Sequence, residues 1–157
     1  MIIREAAEAD LAQVLQLYTF LHNNECPTID TKIERIWSGF VNDPNHHLLL
    51  GFEGDSSEDK PGQNGCKAVS SCVCVVVPNL THQQRPYALI ENVITHPEFR
   101  GRGCATALLN AARDIAVQAN CYKIMLMTGS KLESTLRFYE RAGYNSADKT
   151  AFIQWLR

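Results

Sequence analysis

Apolar residues recur along the chain at two spacings, which predict an alternation of strands and helices. Spacings of three and four residues place side chains on one helical face. They run through residues 8–23, 30–41, 102–120 and 131–142. Short apolar or alternating runs, typical of strands, occupy residues 2–4, 47–52, 67–77, 87–95, 122–127 and 150–156. Stretches rich in turn-forming residues predict exposed loops at 54–65 and 78–85.

The order of these elements predicts a mixed sheet with helices on both faces. Three successive strands between residues 47 and 95 favour an antiparallel meander. The later order of strand, helix, strand, helix and strand favours crossover connections. We therefore expect a mixed α/β (α+β) fold, a single domain over residues 1–157. Its six- to seven-stranded sheet is expected to be flanked by about four helices.

Composition narrows the classes of partner. The 157 residues are 45% apolar and carry a net charge of -2 without a block of one sign, so a nucleic-acid partner is not expected. No apolar stretch approaches the ~20 residues that cross a bilayer, and the first residues do not resemble a signal peptide. These features predict a cytoplasmic protein with no membrane partner.

The six cysteines are predicted to be reduced thiols. They are Cys26, Cys66, Cys72, Cys74, Cys104 and Cys121. No pair has CxxC spacing, and the five histidines do not fall at zinc-ligand spacing. Disulfide frameworks belong to small secreted chains, which this sequence does not resemble. We expect no metal.

A glycine turn between a predicted strand and a predicted helix is the main chemical signal. Residues 100–105 read Arg-Gly-Arg-Gly-Cys-Ala. The first N–H groups of a helix are unpaired and lie at its positive end, so they bind anions. Gly101 and Gly103 allow close backbone approach, and Arg100 and Arg102 add positive charge. The spacing matches neither a dinucleotide-binding fingerprint nor a P-loop.

Two motifs resemble the GNAT family of N-acetyltransferases. Arg100-x-x-Gly103-x-Ala105 resembles the coenzyme A signature of that family. Residues 93–99 resemble its fourth strand and exit, and residues 138–144 match its Phe-Tyr-x-x-x-Gly-Phe/Tyr segment. The resemblance implies a GNAT-like fold in which the fourth strand bulges and splays from the fifth. It also implies transfer of an acetyl group from acetyl-CoA, a cosubstrate, to a primary amine.

The resemblance assigns the coenzyme contacts residue by residue. Backbone groups of Val93, Ile94 and Thr95 are expected to pair with the pantetheine arm. The pyrophosphate is expected to lie against amides of the turn and first helical residues, which are Gly101, Arg102, Gly103, Cys104, Ala105 and Thr106. Cys104 is interpreted as a small spacer, with an acyl-cysteine intermediate as the alternative.

Glu91 and Tyr139 are the candidate catalytic residues. The attacking amine must be neutral, and its pKa is about 10.4 when free, so a base is useful. Glu91 is the candidate base, directly or through water; the alternative is a half-exposed strand charge or a structural ion pair. It shares a face with Val93 and Thr95 unless a bulge intervenes. The resemblance makes Tyr139 the acid that protonates the leaving thiolate, whereas helical spacing alone favours a core aromatic.

One family position differs here. Many members have Asn seven residues before the tyrosine, hydrogen-bonded to the coenzyme, where this chain has Leu132. Ser130, Ser134 or a water is a candidate replacement, unless the contact is lost.

The acceptor is left open by the sequence. The family resemblance points to the first two helices and their connection, with Tyr18 and Glu25 as the candidate substrate residues. Neighbouring candidates are Phe20, His22, Asn23 and Asn24. The acceptor is expected to be a small-molecule or peptide amine.

Two alternative functions remain. Residues 120–124 and Glu91-Asn92 resemble the glucosamine-phosphate branch, although that branch has a second acidic residue where Asn92 stands. The other alternative is a non-catalytic acyl-CoA sensor. Residues 150–156 are apolar enough to pair across a homodimer interface or to complete their own sheet.

Overall fold

The computed structural model describes residues 1–22, 25–53 and 66–156. Its strands are β1 (Ile2–Glu5), β2 (His46–Phe52), β3 (Ala68–Val77), β4 (Tyr87–Thr95) and β5 (Ile124–Leu126). Its helices are α1 (Leu11–His22), α2 (Thr31–Val41), α3 (Cys104–Gln118) and α4 (Glu133–Arg141), with short 3-10 turns at Glu8–Asp10 and Pro97–Phe99. The bounds lie within a few residues of those predicted, which is the usual uncertainty of helix ends. The predicted loop at 54–65 lies outside the described residues.

The sheet is mixed and follows chain order. Strands β1 to β4 are antiparallel neighbours, and β5 lies parallel to β4 at the far edge. Helix α3 supplies the crossover that a parallel pair requires. The predicted mixed α/β fold with four helices is confirmed.

Two clusters of buried side chains lie on opposite faces of the sheet. On the α3 face, Leu108, Leu109 and Ala112 of the helix pack with residues such as Cys72 and Ile90 of the strands. On the other face, residues of α1 and α2 pack against Leu48, Leu50, Phe52 and Val73. The helices therefore cover both faces, as the element order predicts.

Polar anchors fix the starts of α1 and α2. The Arg4 guanidinium donates to both carboxylate oxygens of Asp10, at 2.6 and 2.9 Å, and the Ala7 N–H donates to the same carboxylate. The Asp10 side chain is only 3% exposed. Burial alone would raise its pKa, but the hydrogen bonds from Arg4 and Ala7 prevail and the pKa is lowered. At α2, the Asp30 carboxylate accepts from the Ile33 N–H at 2.8 Å, which is an N-cap.

The predicted last strand is wrong in this fold. Residues 150–156 form no helix or strand, and the sheet has five strands within the described ranges instead of six or seven. Phe152, Trp155 and Leu156 are 92%, 85% and 90% exposed. Alternation of apolar residues creates strand propensity, but a strand also needs a neighbour with which to form its hydrogen bonds.

All six cysteines are free thiols. Burial raises the pKa of Cys72 to about 12 and that of Cys74 to about 11, so both stay protonated at neutral pH. Within residues 1–22, 25–53 and 66–156, no helix is long and apolar enough to cross a membrane. Over the same ranges, no group of three His, Cys, Asp or Glu side chains is arranged to hold a metal ion.

Candidate active site

A bulge in β4 divides the site into two sides. Val73 of β3 pairs with Glu91 and Ser71 pairs with Ile94, so two β4 residues face the one β3 residue between those pairs. Asn92 takes the left-handed conformation there, with φ of 50°. Asn tolerates this conformation better than most residues do. An inserted residue reverses the side-chain alternation beyond it, and bulges are common beside active sites.

Strands β4 and β5 separate just before the bulge. β5 pairs with β4 only from Ala88 to Ile90. Beyond Ile90, the β4 backbone as far as Thr95 has no β5 partner on that side. These are the backbone groups expected to pair with an extended ligand, and the opening is the splayed geometry implied by the family resemblance.

The glycine turn presents an uncapped helix end. Gly101 and Gly103 have φ of 75° and 81°, a region that favours glycine, and Gly103 is the N-cap residue of α3. Among the described residues no side chain caps this end, and its first turn contains no acidic residue. The space that a Cβ would take at either glycine is open. The unpaired N–H groups at the start of α3 are therefore free to accept an anion.

A cleft of about 790 Å³ lies between the end of β4, the turn and α4. Its lining is Val93, Ile94, Thr95, Phe99, Arg100, Gly101, Gly103, Cys104, Ala105, Thr106, Ser134, Thr135, Phe138 and Tyr139. The structure thus brings together every residue predicted for the coenzyme except Arg102. The Arg102 guanidinium instead lies over the Phe99 ring, 4.8 Å from its centre.

Arg100 and Thr95 give the cleft its polar edge. The Arg100 Nε donates to the Thr95 carbonyl at 3.2 Å, which holds this cation beside the turn. The Thr95 Oγ1 atom is buried and has no hydrogen-bond partner within the described part of the chain. A buried hydroxyl without a partner is costly, so it suits a ligand that supplies the missing hydrogen bond. These residues fit the phosphates and polar arm of coenzyme A.

Tyr139 of α4 lines the cleft, in reach of a ligand that follows β4. It is half-buried, and burial raises the pKa of its phenol. The ring lies 4.9 Å from that of Phe138 and 6.2 Å, edge to face, from that of Tyr144. Its ring thus packs at the edge of the cluster beneath α3, while the residue also lines the cleft. The hydroxyl stays protonated at neutral pH, as a proton donor requires.

The start of α4 shows how the Leu132 position is accommodated. Leu132 is 67% exposed and precedes the helix without a side-chain cap. The Ser130 Oγ pairs with the Thr135 Oγ1 at 3.1 Å, and Thr135 and Ser134 line the cleft. Ser134 and Thr135 therefore bring hydroxyl groups to the cleft, and Ser130 reaches it only through Thr135. Thr135 was not among the predicted replacements, although three hydroxyl residues within six positions were a signal for it.

Two aromatic residues of the cleft carried no predicted role. Phe99 immediately precedes the turn and Phe138 immediately precedes Tyr139. Their positions inside the two motifs were the available signal.

Cys104 is 8% exposed, and its thiol contacts the Phe99 carbonyl at 3.8 Å. This packing agrees with its interpretation as a small spacer in the turn.

Glu91 lies on the side of the sheet opposite to the cleft. It pairs with Val73, which belongs to the cluster beneath α1 and α2, while Val93 packs against the cluster beneath α3. The bulge therefore separates Glu91 from the face of Val93, which is the condition attached to the sequence prediction. Glu91 is half-buried and does not line the cleft. If it acts as a base, it acts on an acceptor that arrives from the α1 and α2 side.

An apolar cavity of about 240 Å³ lies on that same side. Its wall from α1 is Leu11, Val14, Leu15 and Tyr18. Its wall from α2 is Ile33, Ile36, Trp37 and Phe40, and Leu48 and Asn92 complete it. The cavity was not foreseen, because its walls come from helices separated in the chain.

Tyr18, one of the two candidate acceptor residues, lines this cavity. Its hydroxyl oxygen is buried with no partner in hydrogen-bonding geometry, and burial raises its pKa to about 12. The side chains of Asn92 and Ser71 lie close enough to moderate that rise.

Glu25, the other candidate, is exposed and lines neither the cavity nor the cleft. Phe20 contacts the His96 ring at 4.8 Å. His22 is the last residue of α1. Asn23 and Asn24 lie outside the described residues.

Comparison with known proteins assigns the family. The model of the acetyltransferase (GNAT) family matches residues 11–144. The chain belongs to the GNAT family. The members of this family are acyltransferase enzymes, and the matched range includes the cleft, the turn and Tyr139.

Individual relatives agree with this assignment. A protein of Agrobacterium tumefaciens str. C58, provisionally identified as an acetyltransferase, is 30% identical with a TM-score of 0.84, covering 99% of this chain and 100% of its own. An uncharacterized N-acetyltransferase of Methanocaldococcus jannaschii is 32% identical over 87 residues, 55% of this chain and 37% of that protein. The match thus spans little more than a third of that relative.

The glucosamine-6-phosphate N-acetyltransferase of Arabidopsis thaliana has a TM-score of 0.78 and 16% identity, covering 99% of this chain and 97% of its own. At that identity the likeness concerns the fold alone.

Proposed function

We propose that this GNAT protein transfers an acetyl group from acetyl-CoA to a primary amine by direct attack. The observation that supports this most strongly is the uncapped end of α3, which opens into the same cleft as Tyr139 and the unpaired edge of β4. An anion site alone would suit many ligands. Its combination with an extended backbone edge and a phenol suits a thioester carried on a long phosphorylated arm.

The turn and β4 position the donor. Amides from Gly101 to Thr106 hold the pyrophosphate by charge-assisted hydrogen bonds, supported by the cation of Arg100. Backbone groups of Val93, Ile94 and Thr95 pair with the pantetheine arm. The carbonyl oxygen of the acetyl group, where negative charge develops during attack, then lies close to the β4 backbone.

Glu91 acts as the general base and Tyr139 as the general acid, from opposite sides of β4. Glu91 removes a proton from the ammonium, directly or through water, so that a neutral nitrogen attacks the thioester carbonyl. Attack forms the C–N bond and a tetrahedral oxyanion, and the C–S bond breaks when that intermediate collapses. The nitrogen then releases its second proton to water, which balances the proton given to the sulfur. Tyr139 gives its proton to the departing thiolate, whose pKa is near 8.5. Raising the phenol pKa makes Tyr139 a weaker acid, so transfer must accompany C–S cleavage.

Release of free thiol from acetyl-CoA, measured with a panel of primary amines, tests the proposal. Thiol release that depends on the amine supports it. Binding of acetyl-CoA without release for any amine indicates the sensor instead and overturns transfer.

The acid role is tested by Tyr139→Phe. We expect kcat at saturating amine to fall by about 10²-fold, because the ring remains and only the proton donor is lost. The wild-type rate should decline only above the ordinary tyrosine pKa of 10.0, since burial raises the pKa of Tyr139. The variant should lack that decline. Unchanged kcat, with chemistry limiting, would remove Tyr139 from the acid role.

The base role is tested by Glu91→Gln. Loss of the carboxylate should lower kcat/KM at neutral pH, and raising the pH should restore part of it by supplying neutral amine. A variant that is impaired equally at all pH values would indicate a structural role for Glu91.

A further inference from the structure

The apolar cavity between α1 and α2 has the character of a ligand site. None of its lining residues is charged. Their polar side-chain groups are those of Tyr18 and Asn92 and the indole N–H of Trp37, which already donates to the Glu8 carbonyl at 3.0 Å. Of the residues that line the cavity, Trp37 is buried at 7% exposure, whereas Ile36 is 57% exposed to solvent. The cavity is therefore a lined space between two helices that remains accessible from outside.

Its size suits a small apolar group. An apolar cavity of about 150 Å³ is sufficient to bind benzene. The cavity here measures about 240 Å³. It has room for one aromatic ring or an alkyl chain of several carbons, and burying such a group is favourable because it removes apolar surface from water.

Two polar groups of the cavity lie together at the sheet. The Tyr18 hydroxyl is buried beside the Asn92 and Ser71 side chains, and it makes no hydrogen bond of good geometry to a described residue. Asn92 occupies the bulge, directly after Glu91. A ligand with one polar end would therefore place that end at the bulge and its apolar body between α1 and α2. Glu91 does not line the cavity itself but immediately precedes Asn92 on the same strand.

We propose that this cavity holds the apolar body of the acceptor, so that the substrate is a primary amine carried on an uncharged ring or alkyl chain. This inference rests on the proposed acetyl transfer. The Tyr18 hydroxyl and the Asn92 side chain orient the nitrogen at the bulge. A second ammonium or a phosphate on the body of the substrate would be buried without a counter-charge, which is strongly unfavourable.

Two amines with the same six-carbon chain provide the sharpest comparison. Hexylamine ends in a methyl group, whereas 1,6-diaminohexane carries a second ammonium at the far end. We expect kcat/KM for acetyl transfer to be at least about 50-fold higher for hexylamine, from the cost of burying an unpaired charge. From propylamine to hexylamine, each methylene should raise kcat/KM about fourfold. Equal rates for the two C6 amines, or a preference for glucosamine 6-phosphate, would overturn the inference.

A binding measurement separates the cavity from the chemistry. Trp37 lines the cavity, and the other tryptophan, Trp155, is 85% exposed. In Trp155→Phe protein, 1-hexanol, which lacks the amine, should change the fluorescence of Trp37 in a saturable manner. A linear, unsaturable response would overturn the inference.

A matched pair of variants locates the response. Ile36→Lys places a charge at the cavity and should weaken binding of 1-hexanol at least tenfold. Val117→Lys, on α3 at 67% exposure and outside the cavity lining, should leave it unchanged. Equal effects of the two substitutions would contradict the assignment of the ligand to this cavity.

The outcomes distinguish this inference from the proposed function. Saturable binding of 1-hexanol without thiol release from any amine would defeat acetyl transfer and support the apolar ligand class. Acetylation of polar amines without a response of Trp37 would support acetyl transfer and overturn the apolar acceptor.

Discussion

The cleft beside α3 and the cavity between α1 and α2 are lined by different kinds of groups. The cleft is made largely of main chain: a glycine turn, an uncapped helix end and an unpaired strand edge. The cavity is made almost entirely of apolar side chains from two helices. Main-chain recognition suits a donor of fixed structure, whereas a side-chain cavity can change its ligand by substitution alone. Under the proposed function, the cleft binds the common donor and the cavity selects the acceptor.

Among substitutions that should affect the cleft and leave the cavity unchanged, we expect the largest effect at Gly103. Gly103→Val puts a branched side chain at φ of 81° and into the open space in front of α3. We expect the dissociation constant of coenzyme A to rise about 100-fold, from backbone strain and obstruction of the anion.

Isothermal titration calorimetry measures this change, with Gly39→Ala as the control. Gly39 lies inside α2, where a methyl group meets no atom within 4 Å. The control should stabilise the fold by about 1 kcal/mol and leave coenzyme affinity unchanged. A dissociation constant for Gly103→Val within threefold of wild type would contradict main-chain recognition at the turn.

An intermediate effect is expected at Asp10, which anchors the start of α1. Asp10→Asn removes the ion pair with Arg4 and should lower the free energy of unfolding by about 2 kcal/mol. Chemical denaturation measures the loss. Coenzyme affinity of the folded variant should not change, because Asp10 lies outside the cleft. A weakened affinity would show that the two sides of the sheet are coupled.

The same pair makes stability depend on pH. The pKa of Asp10 is lower in the folded protein than its ordinary value of 3.8. Its contribution is therefore complete above the unfolded pKa and is lost as pH falls through the folded value. Wild-type protein should lose the advantage over Asp10→Asn only below about pH 4. An advantage that disappears near pH 6 would assign the effect to another group.

The smallest expected effects come from two buried hydroxyls, one on each side. Thr95→Val removes a buried hydroxyl that has no hydrogen-bond partner among the described residues, so it should stabilise the free protein by about 1 kcal/mol. Tyr18→Phe removes a buried hydroxyl that lies beside the Asn92 and Ser71 side chains, so it should change the stability little. Thr95→Val should also weaken coenzyme A about fivefold, whereas Tyr18→Phe should raise only the KM of the amine. If both variants weaken the coenzyme equally, the division into donor and acceptor sides is incorrect.

The difference in construction also explains what the sequence revealed. The turn at Gly101 and Gly103 could be predicted because few other residues adopt their backbone conformation. The elements on either side of it are also adjacent in the sequence. The cavity could not be predicted from the sequence, because Leu15 and Trp37 come together only when α1 and α2 pack on the sheet. Local patterns report local geometry, and a cavity depends on contacts between distant segments.

Two further elements could not be predicted correctly from the sequence pattern. The alternation in residues 150–156 predicted a strand, yet Phe152 and Trp155 are exposed, because propensity does not provide a neighbouring strand. The bulge was allowed for but not located. Asn92 is the residue type that tolerates a left-handed backbone, a signal visible only once a strand is expected there.

The bulge at Asn92 has a consequence for the direction in which the two reactants meet. Deleting that one residue would restore regular alternation, and Val93, Ile94 and Thr95 would each exchange one face of the sheet for the other. The bulge therefore lets Glu91 face the side of α1 and α2 while Val93 faces the side of α3. Under the proposed function, a single extra amino acid allows one strand to serve an acceptor on one face of the sheet and a donor in the cleft.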